Sequence, residues 1–173
     1  MQLYAGLDLH SRNTYIGIMD KEFKRVFGKR VSNNLPLILK TLDPFQDQLE
    51  GIVVESTFNW YWLIDGLMDA GYKCVHLANP AAMKQYEGIK HTDDQHDAFF
   101  LAQLLILGIL PQGYIYPKED RPVRDLARKR MFLVQHRTAH ILSLQSLIAR
   151  CCAKKVSSNE MLHLTLDDLQ HLF

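Results

Sequence analysis

The chain has 173 residues, enough for one ordinary domain with a core and an appendage but not for two independent domains. Its 20 lysines and arginines nearly balance 19 aspartates and glutamates, so the net charge of +1 does not by itself indicate a nucleic-acid-binding protein. The three cysteines fit neither a disulfide framework nor a zinc site, and no signal pattern or membrane-length apolar run is present, so we expect a soluble cytoplasmic protein.

The first third of the chain predicts three successive strands. They are separated by short polar links that suit hairpins: Leu3–Leu9, Thr14–Met19 and Arg25–Val31. Helical spacing follows over Leu35–Leu42, after a cap-like polar segment at 32–34. The apolar run Gly51–Glu55 then predicts a fourth strand.

Helices and strands are predicted to alternate in the next part of the chain. Trp60–Ala70 has a helical pattern that ends at Gly71, and Tyr72–Leu77 has the pattern of a strand. Pro80 suits the first position of a helix, and Asp93–Leu107 predicts the last helix of this unit. The order βββαβαβα predicts a mixed α/β layer fold with helices on the faces of the sheet.

A long helix is predicted over Val123–Ala153, after the proline-containing connector Pro111–Pro122. Its apolar face is wider than one end of a small domain covers. We therefore expect it to protrude from the α/β body and to pair with another copy, giving a homodimer or higher oligomer. The residues expected in this contact are Leu126, Leu133, Ile141, Leu144 and Ile148. Thr165–Phe173 predicts the start of a further helix.

Basic residues cluster at the start of the long helix. They are Arg121, Arg124, Arg128, Lys129 and Arg130. Lysines and arginines grouped in this way suit contacts with backbone phosphates, so the cluster is a candidate nucleic-acid-binding surface. The alternative is an ordinary solvated helix face.

Four acidic residues predict a metal site. Asp8 interrupts an apolar strand and Glu55 ends another, positions where an unpaired carboxylate is costly. Asp94 and Asp97 lie three residues apart, which places both on one helical face. Oxygen ligands without a cysteine or histidine cluster favour Mg²⁺ or Mn²⁺ over zinc.

Each acid also has a structural interpretation. An aspartate at a strand end is commonly a turn former, and Asp93 or Asp94 could simply cap the following helix. His91 and His96 flank the acids, but we do not count either among the metal ligands. The hypothesis of a metal site depends on the four acids together.

Several segments together resemble the DEDD transposases, the insertion-sequence recombinases now known as bridge-RNA-guided recombinases, together with the Piv-type DNA invertases. The matching segments are Gly6-Leu7-Asp8-Leu9-His10-Ser11, Glu55-Ser56-Thr57 with Trp60 or Trp62 and Leu63, Asn79-Pro80, Lys84, Lys90, Asp94-Gln95-His96-Asp97-Ala98 and Leu101-Ala102-Gln103-Leu104. The family commonly has Lys-Thr-Asp before its third acid, whereas here Lys90 precedes His91-Thr92-Asp93-Asp94. Asp93 and Asp94 are therefore alternatives, of which the spacing to Asp97 favours Asp94.

The resemblance implies a ribonuclease-H-like, RuvC-like catalytic domain in which Asp8, Glu55, Asp94 and Asp97 hold Mg²⁺ or Mn²⁺ at the scissile phosphate of DNA. It covers almost the whole chain but only the N-terminal half of such a protein. The family's serine nucleophile lies in the second half, and no segment here matches that region. A structured guide RNA is a further partner that the resemblance suggests.

The expected organisation is a catalytic domain at 1–110, a connector at 111–122, a basic amphipathic helix at 123–155, and a tail at 156–173 that leads to an absent C-terminal domain. The expected function is metal-dependent phosphodiester transfer in DNA transposition. The alternatives are a stand-alone junction-resolving nuclease of the same fold and a non-catalytic nucleic-acid-binding or dimerisation module.

Overall fold

A computed structural model describes residues 1–86 and 94–172, without the side chains of Tyr86, Asp94, Leu169, His171 and Leu172. The described chain divides into two compact units, Met1–Ile115 and Tyr116–Phe173. No helix among the described residues is long and apolar enough to cross a membrane.

The first unit is built on a mixed sheet. Its strands in the described residues are β1 Leu3–Leu9, β2 Asn13–Asp20, β3 Arg25–Ser32, β4 Leu49–Glu55, β5 Val75–Ala78 and β6 Gln112–Gly113. They lie in the order β3-β2-β1-β4-β5-β6. The first three form an antiparallel meander, β4 and β5 run parallel to β1, and β6 pairs antiparallel with β5. The mixed α/β sheet is as predicted.

Helices cover both faces of this sheet. They are α1 Leu35–Leu42, α2 Tyr61–Asp69, α3 Pro80–Met83 and α4 Asp94–Ile106, with 3₁₀ turns at Asp43–Gln48 and Lys84–Tyr86. Alternate residues of β1, including Leu7 and Leu9, belong to one core with Ile38 of α1 and Leu63 of α2. On the opposite face, α4 buries Ala98 and Phe99 against the sheet.

Glycines in neighbouring strands let α4 lie directly on the sheet. A Cβ added at Gly6 of β1 would overlap the backbone oxygen of Ala98 and lie 3.0 Å from the Ala102 nitrogen. At Gly17 of β2 it would lie 3.0 Å from the Phe99 ring. Larger side chains would therefore push the helix away, and the residues that precede Ala98 would move with it.

The second unit contains a long helix followed by two short ones: α5 Arg121–Cys152, α6 Ser158–His163 and α7 Leu166–Leu172. Ser157 and Glu160 form a reciprocal capping box at the start of α6. Gln145 Nε2 donates to the Val156 carbonyl at 2.7 Å and so ties α5 to the segment before α6.

Most predicted elements match the structure within two residues. The expected mixed sheet with flanking helices and a long C-terminal helix is confirmed, and α5 begins at Arg121 with Pro122 in its first turn. The strand expected over Tyr72–Leu77 begins only at Val75, because pairing with β4 starts at that residue. Pairing also adds a strand that was not predicted, β6, inside the expected connector.

Candidate active site

Asp8 and Glu55 lie side by side on the sheet face that α4 covers. The parallel register pairs Leu7 of β1 with Val54 of β4, so the next residue of each strand is also a neighbour. Asp8 shares its face with Gly6, on which the backbone of α4 lies directly. Asp8 is only 2% exposed, whereas Glu55 is half-buried.

The carboxyl groups of these two residues interact directly. Burial raises the pKa of Glu55 from 4.5 to about 7, and the charge of Asp8 and a side-chain hydrogen bond with Asp8 add to the rise. A smaller upward effect on this pKa comes from the charge of Asp97, while His10 lowers it. A protonated Glu55 thus relieves part of the repulsion within a group of carboxyls.

Asp97 is brought to this site by α4. It directly precedes Ala98, the residue whose backbone lies against Gly6 of β1. Its side chain is half-buried and lies within electrostatic range of Glu55. The structure therefore brings together three of the acids that the sequence singled out, two from strand ends and one from a helix on the same face.

The fourth predicted acid lies at the boundary of the described residues. Asp94 is the first residue of α4, but its side chain lies outside the described part of the chain, as do Asp93, the alternative ligand, and the flanking Lys90 and His91. Among the side chains that are described, no group of three or more His, Cys, Asp and Glu residues is arranged to hold a metal ion. The three carboxyls that gather at the site are nevertheless of the hard oxygen type that Mg²⁺ and Mn²⁺ prefer.

His10 is a site residue that the sequence analysis did not select. Its Nε2 lies 2.9 Å from Asp8 Oδ2. Its carbonyl accepts hydrogen bonds from Asn33 Nδ2 at 2.8 Å and Asn59 Nδ2 at 3.3 Å, which tie the β1–β2 turn to the segments that follow β3 and β4. The available signal was its position two residues after Asp8, on the same side of an extended chain.

The predicted nucleic-acid-binding residues lie in the first turns of α5. Arg121 is buried and its Nε donates to the Tyr116 carbonyl at 2.8 Å. Arg124 is half-buried, with its guanidinium 4.7 Å from the Tyr116 ring centre and 3.0 Å from Asp125 Oδ1. The exposed members of the cluster are Arg128, Lys129 and Arg130. The cluster thus combines solvent-facing cations with two arginines that also pack within the second unit.

Comparison with known proteins gives one family and a set of structures. A family model described as a transposase, of the DEDD type named for IS110, matches residues 5–153. Thermus thermophilus RuvC in complex with a Holliday junction substrate is similar in structure, at 14% identity and a TM-score of 0.49, with 65% of this chain and 100% of that chain covered. A second Thermus thermophilus RuvC structure gives 15% identity and a TM-score of 0.48 with the same coverage. None of the curated proteins searched matches the sequence.

Proposed function

This chain belongs to the DEDD transposase family, and from that premise we propose that it is the N-terminal catalytic domain of a DNA transposase or site-specific recombinase. The reaction proposed is metal-dependent phosphodiester transfer in DNA transposition. The observation that carries the proposal is the meeting of Asp8, Glu55 and Asp97 on one face of the sheet.

The proposed metal ligands are Asp8, Glu55 and Asp97, together with Asp94 at the start of the same helix. Carboxylates held this close repel one another, and a divalent cation would offset that repulsion. A bound Mg²⁺ or Mn²⁺ would stabilise the negative charge that develops on the phosphate and on the leaving oxygen. Asp8 and Glu55 come from paired neighbouring strands, and Asp97 comes from α4, which packs on Gly6 of β1.

The chain's own groups prepare the site for such a cation. Asp8 is buried, and the imidazole of His10 lies against one of its oxygens, which limits the orientations of the carboxylate. Glu55, whose pKa of about 7 leaves it partly protonated near neutral pH, would release its proton on binding the cation. Cation affinity is therefore expected to rise with pH across this range.

Calorimetry with Mn²⁺ tests the proposed site. We expect Asp8→Asn to lower the affinity about tenfold or more, because it removes a charged ligand. Asp47→Asn, at an exposed position in the 3₁₀ turn, is the matched control and should bind like wild type. Equal affinity of Asp8→Asn and wild type would contradict a shared site at these acids and would favour a non-catalytic module.

The remaining parts of the proposal concern partners and organisation. We propose DNA as the substrate and a structured guide RNA as a further partner, with the catalytic domain at 1–110, a connector at 111–122 and the helix at 123–155 serving dimerisation or nucleic-acid contact. Exposed apolar side chains along α5, among them Leu126, Leu133 and Leu144, support an intermolecular contact. The tail at 156–173 is proposed to lead to a further domain that supplies the nucleophile.

A further inference from the structure

The edge strand β3 presents a dense group of cations to solvent. β3 is the outermost strand of the sheet on its side, and every residue from 21 to 30 except Phe27 is exposed. The basic residues of this segment are Lys21, Lys24, Arg25, Lys29 and Arg30, against one acid, Glu22. A basic edge strand discourages pairing with other strands, so on its own the charge has a structural explanation.

The strand register gives one of these cations a defined relation to the acids. Asp8 of β1 is directly opposite Tyr15 of β2, and Tyr15 is directly opposite Arg30 of β3. Directly opposed residues of antiparallel strands share a face of the sheet. Arg30 therefore lies in one cross-strand row with the acids, two strands from Asp8, at a Cα separation of about 10 Å.

Contacts around Gly28 agree with this orientation. A Cβ added at Gly28 would lie 2.8 Å from the Tyr15 hydroxyl and 3.3 Å from the Phe99 ring, both on the α4 face. Arg30 follows two residues later and so faces the same side. Arg25 is also on this face, with its guanidinium stacked 4.4 Å over the Phe99 ring. Lys29 is opposite Ile16 and faces the other side of the sheet.

We propose that Arg30 contacts a backbone phosphate of the DNA strand whose scissile phosphate is held at the acids, an inference that rests on the proposed function. A nucleic-acid strand advances about 3.4 Å per nucleotide along a duplex, so a phosphate a few nucleotides from the scissile one falls beside Arg30. The guanidinium donates a fork of hydrogen bonds that matches phosphate oxygens. The row from Glu55 through Asp8 and Tyr15 to Arg30 then forms a track with the acids at one end and a cation at the other.

Fluorescence anisotropy of a labelled DNA duplex, measured with the full chain at several salt concentrations, tests this contact. Arg30→Ala should weaken binding about tenfold and make the slope of log affinity against log salt shallower by about 0.9. Lys29→Ala is the matched control, since it removes the same charge from the adjacent residue on the opposite face. Arg30→Lys should restore part of the affinity, because lysine keeps the positive charge but cannot donate the paired hydrogen bonds of the guanidinium.

Calorimetry with Mn²⁺ on the same variants separates this inference from the proposed function. Arg30→Ala should bind Mn²⁺ as wild type does. Equal losses of DNA affinity for Lys29→Ala and Arg30→Ala would overturn the inference in favour of a diffuse effect of charge. A loss seen with structured RNA but not with DNA would also overturn it. If instead Asp8→Asn keeps full Mn²⁺ affinity, the proposed function fails whatever the DNA titration gives.

Discussion

At the scale of single residues, the site couples protonation of Glu55 to the stability of the fold. The pKa of Glu55 is about 7 in the folded chain, mainly because of burial, against 4.5 for the unperturbed group. The folded state therefore binds more protons than the unfolded state between these two values. In the metal-free protein, the contribution of Glu55 to folding stability is expected to be highest below about pH 4.5. It should fall as the pH rises to about 7 and level off above that.

Glu55→Gln removes this titration. Relative to wild type, the variant should gain in unfolding midpoint as pH rises from about 5 to about 8 in the presence of a chelator, because it carries no charge to be penalised. Thermal denaturation followed by circular dichroism at both pH values measures the difference. The control is Glu50→Gln, at an exposed glutamate of the same strand. The difference between its unfolding midpoint and that of wild type should be the same at both pH values. If the midpoint difference between Glu55→Gln and wild type did not change with pH, the coupling would be contradicted.

At the scale of elements, the sequence predicted those parts of the fold whose signals are local. Strand-like segments joined by short polar links located β1, β2 and β3, and helical spacing located α1 with its bounds unchanged. β6, only two residues long, carries no periodicity and exists because Gln112 and Gly113 pair with β5. The start of α6 did carry a signal that the sequence analysis missed, Ser157 followed three residues later by Glu160.

The site was predictable in part for the same reason. Strand-end positions marked Asp8 and Glu55, and helical spacing marked Asp97. The role of His10 beside Asp8 and the alignment of Arg30 with the acids depend on turn geometry and on strand register, which couple residues far apart in the chain. Periodicity within one segment does not contain that information.

The helix α5 carries many exposed large apolar side chains. Leu126 is 71% exposed and Leu133 55% exposed, values that favour an intermolecular contact. The sequence also placed Ile148 in this contact, but it is only 3% exposed within the single chain. Ile148 is therefore buried within the single chain, whereas Leu144 on the same helix is 49% exposed and stays available for such a contact.

Leu133→Glu tests pairing through α5. Burying a charged glutamate in an apolar helix contact costs more desolvation free energy than the contact contributes to association. Wild type should therefore sediment as a dimer and the variant as a monomer at the same concentration. Gln135→Glu adds the same charge at a polar, exposed position of the helix and should leave the dimer intact. If wild type and Leu133→Glu are both monomers at the same concentration, self-association through α5 is contradicted. If Leu133→Glu and Gln135→Glu both lose the dimer, the effect is a general one of charge.

At the scale of the whole molecule, a nearly neutral chain separates its charges by region. The net charge is +1, yet cations concentrate on the edge strand of the first unit and in the first turns of α5 in the second. Each concentration suits a phosphate backbone, and together they would make DNA affinity strongly dependent on salt. Contacts of this kind position DNA without reading its sequence.

Replacing Arg124, Arg128 and Arg130 with alanine tests the cluster at the start of α5. If these side chains neutralise duplex phosphates, affinity should fall to a similar extent for unrelated sequences. The slope of log affinity against log salt should become shallower by roughly 0.9 for each phosphate that is no longer neutralised. Fluorescence anisotropy with duplex DNA and with structured RNA at several salt concentrations measures both quantities.

The matched control removes three exposed cations at or beyond the other end of α5: Arg150, Lys154 and Lys155. Both triple variants lower the net charge by the same amount, so a general effect of charge would change their salt slopes equally. A local contact changes only the slope of the variant that lacks Arg124, Arg128 and Arg130. Arg124 also packs on Tyr116, and a double variant that keeps it separates the effect of this packing from the effect of phosphate binding. An unchanged slope in the triple variant would show that the cluster is a solvated helix face.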